Sequence, residues 1–333
     1  MSTDLRPRPQ APAPHKLSET PNPSGAHSDR AFRYLALGGG LVVFVVLALI
    51  AWSTTKEAWP AFTSEGISFV TSTTWDPAHG KFGALALIYG TFVTSAIALV
   101  FAVPVSFGIA LFVTEVAPGW VRRPVVYVVD LLATIPSVVF GLWGIAVLGR
   151  AVPGFYENVA SFFAPIPVVG TLLSGDPISG ASFMTAGLIL ALMIIPIVTS
   201  IAREVFATVP SEQKEAAYGL GATRWEMIRG AMFPYARSGL VAGTMIGLGR
   251  ALGETIAVAL VVGANARVTP KLFSNGNTMA AIIANEFGEA TGTHRAALIG
   301  LGVLLFVITI VIGIFARWIV SRSAHDVSTG AVR

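Results

Sequence analysis

The sequence predicts an all-α integral membrane protein, a bundle of about six transmembrane helices. Of its 333 residues, 54% are hydrophobic and 12% are charged, whereas charged residues make up about 25% of an ordinary soluble domain. The mean hydropathy is +0.71, and several apolar runs reach the roughly 20 residues that one membrane crossing requires. Because so much apolar surface would aggregate in water, an ordinary soluble protein is excluded.

A proline-rich segment precedes the first apolar run. Residues 1–30 hold six of the twenty prolines and almost no large apolar side chain, so we expect a disordered cytoplasmic tail there. The first apolar run begins too late and is too long for a signal peptide. The first transmembrane helix is predicted within residues 31–60.

Five further apolar runs follow the first. The six predicted spans are about Tyr34 to Trp52, Phe82 to Val113, Pro124 to Leu148, Phe183 to Ile201, Gly239 to Val262 and Ala296 to Val320. Pro104 predicts a kinked extension of the second span, and Pro136 interrupts the third. A shorter proline-rich segment, residues 162–173, is expected to be re-entrant or to lie on the surface. Residues 323–333 are predicted to form a cytoplasmic C-terminal tail.

The basic residues orient these spans. If the amino terminus is cytoplasmic, the inside segments carry fifteen of the 22 lysines and arginines, the outside segments carry six, and Arg250 lies within a span. This bias obeys the positive-inside rule and predicts that both termini are cytoplasmic. The high pI, near 9.6, reflects these loops and does not predict nucleic-acid binding.

The sequence offers no catalytic or metal centre. There is no cysteine, and the five histidines lie scattered outside the apolar runs, so neither a disulfide nor a metal site is expected. A phosphate-binding G-x-x-x-x-G-K-[ST] loop is absent, because only Lys81 follows a glycine and Phe82 comes after it. An embedded enzyme would also lack a nucleophile–base pair in the spans.

The longest cytoplasmic connection, residues 203–237, predicts two short helices joined by a glycine bend. The local signals are Ser211 as an N-cap, Gly219 and Gly221 around the bend, Thr223 with Glu226 as a capping box, and Pro234 as the end of the second helix.

Two interpretations of this connection differ in the role of its apolar side chains. A solvated loop rarely exposes large apolar residues, whereas exposed apolar patches mark contact sites. The residues concerned are Tyr218, Leu220, Trp225, Met227 and Ile228. The first interpretation is a solvated loop that only joins two spans. The second, which these residues favour, is a projection that inserts into a partner.

The fifth span carries charged residues inside the membrane. Arg250 lies near its midpoint, and Glu254 follows four residues later on the same face of a continuous helix. Ionisable residues within spans are costly and usually functional, so a translocation pathway is favoured over an ion pair that only locks helices together. Glycines at or near four-residue spacing predict close helix packing beside this pair, namely Gly239, Gly243, Gly247 and Gly253.

Three other carboxyl groups lie at predicted span ends. Asp130 is expected to be an interfacial carboxylate near the headgroups, although it could instead be a charge partner of Arg250. Glu115 and Glu204 are expected to be solvated.

The 203–237 connection resembles the EAA loop of bacterial ABC importer permeases. The matching residues are Glu215, Ala216, Ala217, Gly221 and Pro234, whereas Ala231 and Phe233 stand where that family usually has isoleucine and leucine. The resemblance implies the type I ABC importer permease fold over residues 82–322. It also implies that the loop, with Trp225, couples the permease to ATPase subunits.

The segment GLGRALGETIAVALVVG, residues 247–263, resembles the R-A-x-G-E-T signature of the phosphate-specific permease pair. Ile256, Ala257 and Val258 are more similar to the PstC-type partner than to its PstA counterpart. The inserted Ala264 departs from the G-N dipeptide that commonly follows. Further PstC-like segments are residues 72–77, 83–91 and 130–144. The resemblance implies a pathway lined by Arg250, Glu254 and Thr255.

The resemblance implies the permease subunit of an inorganic phosphate importer in the bacterial inner membrane. The expected partners are a PstA-like second permease, a PstB-like ATPase dimer and an external PstS-like phosphate-binding protein. ATP and Mg²⁺ would then bind to the ATPase, and this chain would need no cofactor. The alternatives are a permease for another oxyanion, such as molybdate or sulfate, and a self-sufficient carrier that transports alone.

Overall fold

The computed structural model describes residues 23–175 and 180–330. The chain divides into two compact units, Met1–Trp52 and Ser53–Arg333. Helix α1 (Pro23–Glu65) begins in the first unit and contains the predicted first transmembrane helix. Of the predicted disordered tail 1–30, residues 1–22 lie outside the described residues, and the remainder is helical.

The second unit contains most of the helices and one two-stranded antiparallel sheet. In β1 and β2, Trp75 pairs with Phe82 and Asp76 pairs with Lys81. The elements after α1 are α2 (Ser68–Thr71), β1 (Trp75–Asp76), β2 (Lys81–Phe82), α3 (Leu85–Leu111), α4 (Gly119–Thr134), α5 (Ser137–Trp143), α6 (Gly149–Phe163), α7 (Pro167–Leu172), α8 (Phe183–Ala207), α9 (Ser211–Gly219), α10 (Arg224–Met227), α11 (Phe233–Gly253), α12 (Ile256–Val261), α13 (Met279–Glu286) and α14 (Gly292–Gly330).

In the described parts of the chain, three π-helical turns extend these helices. Phe112–Val116 continues α3, Gly144–Leu148 joins α5 to α6, and Ile228–Met232 joins α10 to α11. The chain is therefore helical without interruption over residues 85–116, 137–163 and 224–253. Turns of this kind are rare and are often found at functional sites.

Among the described residues, five helices are long and apolar enough to cross a membrane. They are Arg30–Glu65, Leu85–Val116, Ser137–Phe163, Phe183–Ala207 and Gly292–Trp318. The predicted third span, residues 124–148, is wrong in its bounds, because α4 is a separate helix and the long apolar helix starts at Ser137. Pro136 lacks an N–H group and drives Ile135 into an extended conformation (ψ 126°).

The predicted fifth span is also not one helix. Helix α11 ends at Gly253, and Glu254 has an extended backbone (φ −70°, ψ 128°). One Glu254 carboxylate oxygen accepts a hydrogen bond from the Ala257 N–H at 3.4 Å, which satisfies a free donor at the start of α12. This cap favours a break over a continuous helix.

The two predicted non-spanning segments have helical structure. Residues 162–173 include the short helix α7. The predicted C-terminal tail 323–333 is helical as far as Gly330, as part of α14, and residues 331–333 lie outside the described residues.

Helices α3 and α8 form the centre of the second unit and run parallel. Ile97 of α3 lies against Gly187, and nine residues later the Ser106 hydroxyl donates to the Ile195 carbonyl at 3.2 Å. We call the end of this unit that contains residues 203–237 the loop end, and the end that contains the β-hairpin the hairpin end.

Candidate translocation pathway and coupling surface

Helix α11 packs closely against α8 along a row of glycines. A Cβ atom added at Gly239, Gly243 or Gly247 would lie 2.6, 2.8 or 2.8 Å from Val205, Ile201 or Val198. The predicted glycine seam is therefore a contact between two helices of this chain. Gly253 does not belong to it, because no side chain or backbone atom of another described segment lies within 4 Å of its Cβ position.

We predict that Gly247→Val destabilises the chain, whereas Gly249→Val does not. Both changes place the same β-branched residue in α11, so their effect on helix propensity cancels. At Gly247 the new side chain would overlap Val198, whereas the Cβ position of Gly249 is open. Overpacking costs about 1–3 kcal/mol. The melting temperature of the purified chain in detergent measures the difference, and equal values for the two variants would contradict the prediction.

Arg250 and Glu254 lie together at the break between α11 and α12. An Arg250 guanidinium nitrogen is 3.9 Å from a Glu254 carboxylate oxygen, and the two side chains are 45% and 8% exposed in the isolated chain. The Thr255 hydroxyl donates to the Gly253 carbonyl at 3.2 Å. The three predicted pathway residues thus form one site, in which the carboxylate is buried and the guanidinium is accessible.

This break lies at the depth of the membrane-spanning helices. Gly247 packs against Val198, which is close to the middle of the 25-residue helix α8. Irregular backbone is tolerated at such depth where it is buried in protein or lines a water-filled cavity. Interrupted helices of this kind form substrate sites in other transporters. The position and the accessible guanidinium both suit an anion pathway.

Asp130 does not pair with Arg250. It is exposed on α4, and within the described ranges no ion pair joins it to Arg250, whose carboxylate neighbour is Glu254. The prediction of Asp130 as a charge partner is therefore wrong, and the interfacial interpretation remains.

The 203–237 loop contains the two predicted helices. Gly221 has a left-handed backbone (φ 82°), a conformation that glycine adopts without a steric penalty. The Thr223 N–H and hydroxyl bond the Glu226 carboxylate at 2.7 and 2.8 Å, and the Glu226 N–H donates to the Thr223 hydroxyl at 3.4 Å. The capping box is thus present, and the bonds from the Thr223 N–H and hydroxyl hold the pKa of Glu226 below its usual value.

Two local expectations for this loop are wrong. Pro210, not Ser211, occupies the N-cap position of α9. Pro234 does not end the second helix, because it lies in the first turn of α11 and the helix continues through the π-helical turn. Proline removes one hydrogen bond from a helix interior, and Pro234 directly follows the π-helical turn, where the hydrogen-bond ladder already changes register.

The apolar side chains of the loop divide between the core and the surface. Met227 and Ile228 are buried and pack with residues of α3, α8 and α11 such as Phe206, so the expectation that they are exposed is wrong. Leu220 is 89% and Trp225 63% exposed.

The exposed residues form what we call the coupling surface. Its members are Glu215, Ala216, Tyr218, Leu220, Gly221 and Trp225, all exposed, while Ala217 is half-buried. An apolar patch beside a carboxylate on a helix-bend-helix unit suits docking to a partner.

An ion pair that the sequence did not predict joins this loop to α3. Lys214 Nζ lies 2.6 Å from Glu115 Oε1, and the side chains are 22% and 14% exposed. The expectation that Glu115 is solvated is therefore wrong. The two residues are 99 positions apart, and the pattern around neither one predicts the other.

A second unpredicted cluster lies at the hairpin end. Glu286 Oε2 accepts a hydrogen bond from Trp75 Nε1 at 3.0 Å and lies 2.9 Å from His294 Nε2. The Phe82 ring stacks on His294 with centroids 5.6 Å apart. These contacts join the hairpin to α13 and α14. In the described part of the chain, no three metal-ligating side chains lie close enough to bind a metal ion.

The comparisons with known proteins agree on one family. Residues 102–325 match the family described as the binding-protein-dependent transport system inner membrane component. The phosphate transport system permease protein PstC of Xylella fastidiosa is 46% identical over 313 residues, which are 91% of this chain and 95% of that protein. PstC of Mesorhizobium japonicum is 45% identical, covering 92% of this chain and 93% of that protein. PstC 2 of Mycobacterium tuberculosis is 42% identical, covering 87% and 90%.

Solved structures show the same fold at lower identity. A chain of a bacterial alginate ABC transporter, solved with an alginate pentasaccharide-bound periplasmic protein, has a TM-score of 0.58 at 18% identity and covers 87% of this chain and 94% of that chain. An inward-facing methionine ABC transporter has a TM-score of 0.50 at 18% identity and covers 72% of this chain and 94% of that chain.

Proposed function

The chain belongs to the family of inner membrane components of binding-protein-dependent transport systems, and from this membership we propose that it is the permease subunit of an ATP-driven importer of inorganic phosphate. Its fold is that of a type I ABC importer permease. The identity of over 40% to phosphate permeases across most of both chains supports the choice of substrate. The observation that carries the proposal is the accessible guanidinium of Arg250 beside a helix break at membrane depth.

The pair of charges at the break suits brief contact with an anion. The Arg250 guanidinium provides donors whose planar fork matches phosphate oxygens. Glu254, 3.9 Å away, offsets part of that positive charge and would keep the contact weak, so that phosphate can leave. Tight selection would then belong to an external phosphate-binding protein.

The continuous helix over residues 224–253 gives the proposal a mechanism. Trp225 on the coupling surface and Arg250 at the break belong to this one helix. At about 1.5 Å per residue, it spans roughly 45 Å. An ATPase that closes and pushes on Trp225 would therefore move Arg250 directly, which couples ATP hydrolysis to the state of the pathway.

The proposed complex has four kinds of subunit. This chain would pair with a related, PstA-like permease, and a PstB-like ATPase dimer would bind ATP and Mg²⁺ at the coupling surfaces. A PstS-like phosphate-binding protein would dock at the hairpin end. The loop end would be cytoplasmic, since Arg122 and Arg123 are exposed on α4 close to that end. Both termini would be cytoplasmic as well.

Phosphate uptake tests this function. We expect that deleting the chain from a bacterium with no other phosphate importer removes uptake of radiolabelled phosphate at low external concentration, and that supplying the chain restores it. The restored uptake should require ATP and persist in excess molybdate or sulfate. Unchanged uptake after deletion, or strong competition by molybdate, would indicate that the chain transports another oxyanion instead of phosphate. Transport by the chain alone in vesicles would contradict the need for an ATPase.

A further inference from the structure

The Glu115–Lys214 ion pair lies where the 203–237 loop, which we call the coupling loop, meets a second membrane-spanning helix. Lys214 belongs to α9, directly before the exposed Glu215. Glu115 belongs to the π-helical turn that ends the α3 helix. The 2.6 Å contact is mostly shielded from water, so removing either charge would leave the other poorly solvated.

Apolar side chains of α9 and α3 also pack against one shared cluster near this ion pair. Ala217 of α9 packs in the same apolar cluster as Phe107 and Leu111 of α3. The Thr114 hydroxyl donates to the Ala110 carbonyl at 2.9 Å, so this side chain bonds a backbone acceptor near the π-helical turn. The ion pair therefore adds a direct contact between the loop and the end of this helix to the packing against one shared cluster.

At its other end, α3 bonds the segment that follows α12. The Tyr89 hydroxyl donates to the Thr269 carbonyl at 2.6 Å, and the Met279 N–H donates to the Thr91 hydroxyl at 3.1 Å. From Tyr89 to Glu115 the helix is about 40 Å long. One helix thus connects the coupling loop to residues 263–278 at the hairpin end.

The 263–278 segment returns to the end of α12. The Gly276 N–H donates to the Val262 carbonyl at 2.9 Å, and the start of α12 is capped by Glu254. Two routes consequently join the helix break to the coupling loop. The first is the continuous helix from Trp225 to Gly253. The second runs along α3 from Glu115 and through residues 263–278 to α12.

We propose that Glu115 and Lys214 are positioning residues that transmit movement of the coupling loop into α3, so that the two sides of the α11–α12 break move together. This inference rests on the proposed ATP-driven transport. Movement of α11 alone would shift Arg250 relative to Glu254, whereas coupled movement of α3 would carry α12 and Glu254 along. The ion pair therefore determines how much of the ATPase movement is transmitted to Glu254 and Arg250 at the helix break.

A purely structural role would have a different signature. If the pair only stabilised the fold, its loss would reduce the amount of assembled complex, and each remaining complex would transport normally. If it transmits movement, assembled complexes would still hydrolyse ATP in response to the loaded binding protein and would move less phosphate per ATP. The ratio of phosphate transported to ATP hydrolysed separates these roles.

The test uses the complete importer reconstituted in vesicles, with the external binding protein and radiolabelled phosphate. The variants are Glu115→Gln, Lys214→Gln, and the exchange Glu115→Lys with Lys214→Glu. Glu212→Gln is the matched control, because Glu212 is an exposed carboxylate in the first turn of α9. Assembled complex is quantified for each variant before uptake and ATP hydrolysis are measured.

We expect each single variant to lower the phosphate-to-ATP ratio at least fivefold, and the exchanged pair to recover at least half of the wild-type ratio. Glu212→Gln should match the wild type. An unchanged ratio in the single variants, or uptake that falls only in proportion to assembled complex, would overturn the inference, as would an exchanged pair no better than the singles. If the wild-type importer itself moves no phosphate, the proposed substrate fails, and the same variants are then compared by the ratio of transported oxyanion to hydrolysed ATP, with the oxyanion that the wild-type importer does carry.

Discussion

Arg250→Ala is expected to lower phosphate uptake at least a hundredfold without loss of the assembled complex. The change removes the accessible guanidinium and leaves the Glu254 carboxylate, 8% exposed, without its nearest positive charge. That carboxylate would then repel an anion at the break. Uptake by the reconstituted importer at saturating binding protein measures the effect, and co-purification of the other subunits reports assembly.

Two further variants determine what Arg250 does. Arg295→Ala removes an arginine whose guanidinium carbon lies 5.1 Å from the centre of the Phe287 ring, away from the break, and should leave uptake within twofold of wild type. The double variant Arg250→Ala with Glu254→Gln removes both charges. If it recovers much of the uptake, Arg250 acts mainly by neutralising Glu254, and if it stays inactive, the guanidinium itself binds phosphate. Full uptake by Arg250→Ala alone would contradict the role given to it.

The second large effect is expected at the coupling surface. Trp225→Ala should weaken binding of the ATPase subunits about thirtyfold or more, because tryptophan is enriched among the interface residues that contribute about 2 kcal/mol or more to binding, and Leu220→Ala should weaken binding by a smaller factor. Neither side chain is needed for the fold, since both are largely exposed. The dissociation constant of the purified ATPase for the permease complex measures the loss.

Trp120→Ala is the matched control for this experiment. Trp120 is 79% exposed and lies on α4, outside the coupling loop, so its removal deletes an equally large exposed side chain. ATPase binding should be unchanged. Equal weakening by Trp120→Ala and Trp225→Ala would contradict a specific docking site, and so would normal binding after Leu220→Ala and Trp225→Ala are combined.

Local patterns predicted a large part of this protein. The apolar runs located the helices over residues 85–116, 183–207 and 292–318 because a membrane-spanning helix satisfies its own backbone and needs only length and hydropathy. The capping box of Thr223 and Glu226 was predicted because its two residues are three positions apart. The glycine row on α11 predicted close packing because small residues at four-residue spacing lie on one side of a helix.

Competition between local signals was harder to predict. The apolar run over residues 239–262 suggested one helix, yet the Glu254 carboxylate caps α12 and favours a break. Pro234 was expected to end a helix, yet it directly follows a π-helical turn and the helix continues past it to Gly253. In both cases the side-chain and backbone bonds that decide the outcome are short-range, but their balance depends on packing around them.

By itself, the sequence determined that the chain is an all-α membrane protein of this permease family, and it located most of the membrane-spanning helices, the 203–237 loop and the charged pair Arg250 and Glu254. Only the tertiary structure decided which partners those residues meet. It buried Met227 and Ile228 while exposing Leu220 and Trp225, directed the glycine row onto α8, and paired Glu115 with Lys214. The reason is physical: helix formation and membrane partition depend on neighbours a few residues away, whereas burial and ion pairing depend on groups that approach only when distant segments pack.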